Sequence, residues 1–253
     1  NASNREKDFL WLQQNATSYG VEVKDISKDV AMLALQGPRS ESTLSKLCPE
    51  NLSEIPRFGC RWIKLSGLKC LASRTGYTGE DGFEIFAWDS PVSAPQLAVE
   101  AWNAMLDAGK TFGIEPCGLG ARDVLRLEAA MCLYGNDIDE SITPFEAKLG
   151  FTVKLDKKDF VGKDVLVKQK SEGIKRIRIG LKMIDKGIPR AGCEILKDKI
   201  VIGKVTSGTL SPTVGAGIAM GYVPPEFLSE EEVLMIKIRD RFAKAQVVKF
   251  PFF

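Results

Sequence analysis

The feature that most constrains this fold is a change of texture near residue 174. From there the chain becomes a succession of short apolar and β-branched runs punctuated by turns, at 177–183, 194–196, 200–207, 217–222, 234–238 and 244–249. Six short strands at close spacing predict a small β-barrel or a sandwich. Upstream, the pattern is mixed. Residues 6–18 read as a helix with Phe9, Leu10 and Leu12 as its apolar contributors, and 21–23 as a strand. A strand at 30–36 stops at Gly37-Pro38 and leads into a helix over 40–47. Strands at 61–65 and 70–74 flank Ser66-Gly67 as a hairpin, and 83–87 reads as another strand. Over 94–108, Leu97, Ala101 and Leu106 recur near helical spacing, with Gly109 as the expected C-cap. A further helix runs over about 119–130. The order of elements over 27–119 predicts an α+β layer with helices on one sheet face.

At 253 residues the chain can bury roughly 70–75% of the surface its unfolded form exposes. Apolar residues make up 44% and charged residues 27%, the ordinary range of a soluble globular chain. No stretch approaches the roughly 20 uncharged apolar residues of a membrane span. Lys and Arg number 35 against 33 Asp and Glu, a balance that argues against affinity for nucleic acid through phosphate neutralisation. The basic cluster Lys168, Lys170, Lys175, Arg176 and Arg178 reads as a solvated face beside a strand. None of the six cysteines forms a C-x-x-C pair, so they read as buried free thiols.

Histidine is absent. That excludes Ser-His-Asp and Cys-His catalysis, histidine-ligated metal and histidine bases within this chain. Acid–base work falls to carboxylates, Lys, Tyr or Cys.

Two segments are hard to explain by packing alone. Arg74-Thr-Gly-Tyr-Thr-Gly-Glu-Asp-Gly82 holds three glycines in seven residues, a turn-rich loop that permits close backbone approach to a ligand. Just after it, Glu84 lies between Phe83 and Ile85 in a strand, so its side chain faces away from theirs. There it is either solvated or set in a cleft, where it can accept two parallel hydrogen bonds from a planar N–H pair. The second segment is the helix from Leu119. Arg122 and Arg126 share a face, and Asp123 can pair with Arg126, as on an ion-pair-laced surface helix. It runs into Met131-Cys-Leu-Tyr-Gly135-Asn-Asp-Ile, where Tyr134 is a core residue or a ring-stacking one.

Together and in this order, the two segments resemble the aminomethyltransferase (glycine cleavage T-protein) family. Arg74 to Ile85 is similar to its G-Y-T-G-E-D-G-x-E-I signature. Gly120 to Glu128 with Leu133 to Ile138 is similar to its A-R-D-x-L-R-L-E-A…L-Y-G-x-D-I segment. The likeness continues through Thr143 to Glu146, Phe160 to Lys163, Val205 to Gly208 and Ala219 to Pro224, and covers essentially the whole chain. The resemblance implies an α+β, multi-domain fold with ferredoxin-like domains and a C-terminal β-barrel. Its expected divisions are 27–119, then 1–26 with 120–168, then 169–253.

The implied activity is transfer of a one-carbon unit from the aminomethyl-dihydrolipoyl arm of H-protein to tetrahydrofolate, with release of ammonia and no metal. The implied partners are lipoylated H-protein and tetrahydrofolate, in the cytoplasm of a prokaryote or the mitochondrial matrix of a eukaryote. By position, Glu84 resembles the family's pterin-binding glutamate and Tyr77 a folate-contacting tyrosine. Arg122 resembles a folate-site arginine, Arg190 an arginine near the site, and Asn1 a folate-side asparagine. The family's catalytic aspartate lies in a G-x-x-D-D segment upstream of the stretch matching Asn1. The chain is therefore expected to lack an N-terminal part, and as given to bind folate weakly or not at all. Two alternatives keep the fold: another folate-dependent methyl or methylene transferase, and a non-enzymatic folate-binding relative in iron–sulfur assembly.

Overall fold

The computed structural model describes residues 2–230 and 232–253, and the chain divides into two units, Asn1–Cys117 and Gly118–Phe253. The first opens with helix α1, Arg5–Ala16, prolonged by a 3₁₀ turn over Thr17–Tyr19. α1 buries none of its residues, and Leu10 and Leu12 are exposed. The strand expected at 21–23 does not form. Val21-Glu-Val alternates as a strand would, but a strand needs a neighbour to complete its hydrogen bonds, and this segment pairs with none.

Strand β1 (Ala31–Gln36), helix α2 (Ser40–Leu44), strands β2 (Cys60–Leu65), β3 (Leu68–Ser73) and β4 (Gly82–Ala87), and helix α3 (Gln96–Gly109) follow. The sheet is antiparallel throughout, in the order β1-β4-β3-β2. The β2–β3 hairpin turns through Ser66 and Gly67 at φ 48° and 90°. Positive φ at both central residues matches the right-handed twist of the flanking strands. Alternate residues of each strand face one way. Leu35, Ile63, Leu65, Cys70, Ala72, Phe83, Ile85 and Ala87 therefore pack as one layer beneath Leu44 of α2 and Ala101 and Met105 of α3. Each fully buried aliphatic or aromatic side chain of this kind contributes roughly 1.5–3 kcal/mol.

α3 does not end at a cap formed by Gly109. It runs through Gly109 and a 3₁₀ turn over Lys110–Phe112, and the left-handed residue that stops it is Gly113 at φ 71°. Gly109 is needed for packing instead, because a Cβ there would lie 2.6 Å from Ile114 Cγ2.

The second unit begins with helices α4 (Leu119–Glu128) and α5 (Lys163–Glu172). Strands β5 (Ile177–Met183), β6 (Glu194–Lys197), β7 (Ile200–Ser211), β8 (Ala216–Val223), β9 (Val233–Ile238) and β10 (Arg241–Val248) follow. They close in the order β10-β5-β8-β7-β6-β9, which decides for a barrel over a sandwich. Closure removes the unpaired edges that an open sheet would expose. Ile179, Leu181, Ile195, Val205, Leu234, Ile236, Ala245 and Val247 fill the interior. α4 belongs to this unit and packs Leu127 against Ile218 and Met220 of β8.

The basic cluster is not a solvated face beside a strand. Lys168 and Lys170 lie on α5, an element the sequence pattern did not reveal because its apolar residues are too few to mark a stripe and none is buried. Arg178 is buried in β5, donating from Nε to Ala147 O at 2.9 Å and from Nη1 to Ala130 O at 2.7 Å. Arg176 pairs with Glu146 at 3.0 Å. These guanidinium groups satisfy buried carbonyl and carboxylate oxygens, which would be costly to bury unpaired.

Candidate functional site

The loop Arg74–Gly82 connects β3 to β4 and is clamped at its base by Arg74. That guanidinium donates from Nε and Nη2 to the two oxygens of Asp81, at 2.9 and 2.6 Å, and from Nη2 to Glu41 Oε2 at 2.6 Å. Its Nη1 reaches Leu52 O and Ile55 O, each at 3.3 Å. A planar fork on a carboxylate fixes orientation as well as distance. The hydrogen bonds from Arg74 hold the Asp81 carboxyl below the usual carboxylate range.

Gln36, the last residue of β1, slides its side chain under the same loop. Its Nε2 donates to Thr75 O at 3.1 Å, and Thr78 Oγ1 donates to its Oε1 at 3.3 Å. A Cβ on Gly76 would lie 1.7 Å from Gln36 Oε1, and one on Gly82 would lie 2.6 Å from its Cδ. Those two glycines make room for the amide, whereas Gly79 supplies a left-handed turn at φ 84°.

Glu84 stands in β4 opposite Ala34 of β1 and Ser73 of β3. Phe83 and Ile85 are fully buried on the core side, and Glu84 faces the other side, half-buried. Thr75 Oγ1 donates to Glu84 Oε2 in a short hydrogen bond. On the same face, Phe86 and Trp88 run into a groove of about 1020 Å³ that Met32, Phe9 and Leu12 also line. The arrangement presents an oriented carboxylate, able to accept paired N–H donors, at the end of an apolar and aromatic surface.

The expected site residues fall into two groups. Tyr77 is half-buried on the loop that leads to Glu84, and both residues belong to the first unit. Arg122 and Arg190 belong to the second unit, and both are exposed. Arg122 lies on α4. Arg190 lies between β5 and β6, and its Nη1 donates to Gly208 O at 3.3 Å. Gly208 must lack a side chain, since a Cβ would sit 1.6 Å from Pro189 O. Asn1 lies outside the described residues. Tyr134 is half-buried.

Three residues escaped the sequence reading. Thr75 and Gln36 are ordinary polar residues whose roles arise only from what they face. Asp137 is the third. The Asp123–Arg126 pair forms as expected, at 2.9 Å, but Arg126 is not on a surface helix face, being only 2% exposed. It donates to Asp137 Oδ2 at 2.6 Å and to Ser207 Oγ at 2.8 Å. A carboxylate ending an apolar run at Leu133-Tyr-Gly-Asn-Asp137 was the available signal.

Two family models match this chain: the GCVT N-terminal domain over residues 1–157 and the glycine cleavage T-protein C-terminal barrel domain over 176–253. The chain belongs to the glycine cleavage T-protein, or aminomethyltransferase, family. An aminomethyltransferase of Clostridium botulinum (strain Loch Maree / Type A3) is 47% identical over 255 residues, covering 100% of this chain and 67% of the relative. One of Caldanaerobacter subterraneus subsp. tengcongensis is 46% identical over 254 residues, covering 100% and 66%. The chain thus spans about two thirds of the length of these aminomethyltransferases. The crystal structure of the glycine cleavage system aminomethyltransferase T from Bartonella henselae superposes with a TM-score of 0.84 at 31% identity, covering 100% of this chain and 67% of that one. The mixed α+β layer and the closed barrel are those of the aminomethyltransferase fold. Among the described residues, no helix is long and apolar enough to cross a membrane, and no cluster of Cys, Asp and Glu is placed to hold a metal ion.

Proposed function

We propose that the chain works as the aminomethyltransferase of glycine cleavage, taking the aminomethyl group from the dihydrolipoyl arm of H-protein and passing its carbon to tetrahydrofolate. In that reaction the C–S bond to the arm and the C–N bond to the departing amine break. Two C–N bonds form, to N5 and N10 of the folate. The two protons those nitrogens give up go to the lipoyl thiol and to ammonia.

The observation that carries this reading is Glu84, a half-buried carboxylate on the face of the sheet away from its core. A reduced pterin presents N3–H and its 2-amino group side by side, and a carboxylate is the acceptor that matches both. Tyr77, on the same loop, supplies an aromatic surface for the ligand. Arg122 is exposed on the second unit and supplies positive charge suited to a folate oxygen. Holding the folate in one pose makes attack on the incoming carbon effectively unimolecular, which is where most of the rate gain is available without metal or histidine. None of these roles requires a residue type the sequence lacks.

The test is ammonia release from aminomethyl-loaded H-protein in the presence of tetrahydrofolate. The full-length protein should release ammonia and form methylenetetrahydrofolate, and Glu84→Ala should abolish turnover. Ammonia release that proceeds equally well in the Glu84→Ala protein would remove this carboxylate from the site.

A further inference from the structure

The sheet places Ser73, Thr75 and Glu84 in one hydroxyl–hydroxyl–carboxylate line that the folate reading does not use. Ser73 lies directly across from Glu84 in the β3–β4 ladder, and Thr75 lies two residues beyond it, where the chain leaves the sheet. Thr75 Oγ1 sits 3.2 Å from Ser73 Oγ and in hydrogen-bond contact with Glu84 Oε2. A hydroxyl carries one proton, and an ionised carboxylate can only accept. The proton of Thr75 therefore goes to Glu84, and its oxygen is left to accept from Ser73.

The hydroxyl is not free to wander. The Thr75 backbone N–H donates to Ser73 O at 2.9 Å, and its carbonyl accepts from Gln36 Nε2 at 3.1 Å. Gln36 in turn reaches that position only because Gly76 and Gly82 have no side chains. The loop base is fixed independently by Arg74 on Asp81 and Glu41. Thr75 is thus held by the backbone on both sides, with its side chain aimed at one oxygen of Glu84.

We propose that Thr75 is a positioning residue for folate recognition: its hydroxyl fixes the plane of the Glu84 carboxylate so that both oxygens meet the paired N–H donors of the pterin. This inference rests on the folate reading of Glu84. An ionised carboxylate has about four lone-pair sites, so Oε2 can accept from Thr75 and from one pterin N–H while Oε1 accepts from the other. A carboxylate free to rotate must give up that freedom on binding, whereas one already clamped does not.

Calorimetric titration of the full-length protein with tetrahydrofolate tests it. Thr75→Val keeps the shape and removes the hydroxyl, and should weaken binding roughly tenfold, the scale of one lost charge-assisted hydrogen bond. Thr75→Ser keeps the donor and should bind within about twofold of the parent. In a Glu84→Ala background, Thr75→Val should add no further loss, because the carboxylate it orients is gone. Thr75→Ala takes the place of Thr75→Val if the valine variant does not fold. Should Glu84→Ala weaken binding while Thr75→Val does not, the positioning role is overturned and the folate reading of Glu84 stands. Failure of Thr75→Ser to restore binding, or an equal loss in the Glu84→Ala background, also overturns the role. Should Glu84→Ala itself bind tetrahydrofolate unchanged, the underlying reading fails first.

Discussion

Glu84 in the first unit and Asp137 in the second are both carboxylates on mixed apolar segments, and their surroundings differ sharply. Asp137 is 0% exposed and saturated. It accepts from Arg126 Nη1 at 2.6 Å, from Leu133 N at 2.9 Å, from Ser207 Oγ at 2.9 Å, and from Thr206 Oγ1. Glu84 is half-buried, and Thr75 orients it without enclosing it. A carboxylate whose lone pairs are spent inside the fold is part of the framework. One that is aimed but still accessible keeps acceptor capacity for a ligand. Charge-bearing residues at sites and in frameworks look alike in a sequence, and the number and origin of their donors separates them.

The largest expected effect is on the saturated carboxylate. Asp137→Ala leaves the Arg126 guanidinium buried without its main counter-charge, and should cost about 3–5 kcal/mol of stability in urea unfolding. Replacing Arg126 and Asp137 together by apolar residues of similar volume should recover most of that loss. A single variant that unfolds like the parent would erase the distinction between the two carboxylates.

Next in size is the accessible one. Glu84→Ala removes no partner from a buried charge, so its unfolding midpoint should stay close to the parent's, while tetrahydrofolate binding falls by at most several kcal/mol because the pterin donors are left unpaired. Titration calorimetry and urea unfolding on the same preparation give both numbers. A stability loss as large as that of Asp137→Ala would mean Glu84 belongs to the framework after all.

A smaller effect is expected from Gly76→Ala. The new methyl group must displace the Gln36 amide, which lies where the Cβ would be. Overpacking of this kind costs about 1–3 kcal/mol, less here because a side-chain end can move. The loop and Glu84 should loosen with it, so folate affinity should fall more than the melting temperature suggests.

The smallest effect concerns pH and sharpens the contrast between units. Burial pushes the Cys48 thiol up to about 12 from an ordinary 9.0. The folded state therefore favours the protonated thiol. Its contribution is fully present below pH 9 and is lost as the pH climbs towards 12. All four tryptophans, at 11, 62, 88 and 102, lie in the first unit, so their fluorescence reports that unit alone. Alkaline unfolding followed by this signal should steepen above pH 9, and Cys48→Ala should flatten part of that slope. An unchanged profile would show that the thiol is not buried in solution.

Local pattern made much of the architecture legible. Short apolar and β-branched runs bounded by turn residues marked all six barrel strands, and Phe83 and Ile85 could be set on one face of their strand from spacing alone. Glu84 could be placed on the opposite face for the same reason. Lack of periodicity hid α5, whose apolar residues do not form a buried stripe, and excess of it suggested a strand at 21–23 that has no neighbour.

What the sequence determined by itself is what repeats within a few residues: strand and helix periods, turn positions, the long ordered motifs of the family, and the exclusion of histidine chemistry. Tertiary structure alone decided that six strands close on themselves, that Gln36 fills the space left by Gly76 and Gly82, that Thr75 rather than solvent meets Glu84, and that Arg126 is a buried strut for Asp137 and Ser207. The division follows from range. Backbone periodicity is set by neighbouring residues, whereas the donors around a carboxylate come from segments distant in the chain, and only the folded chain brings them within hydrogen-bond distance.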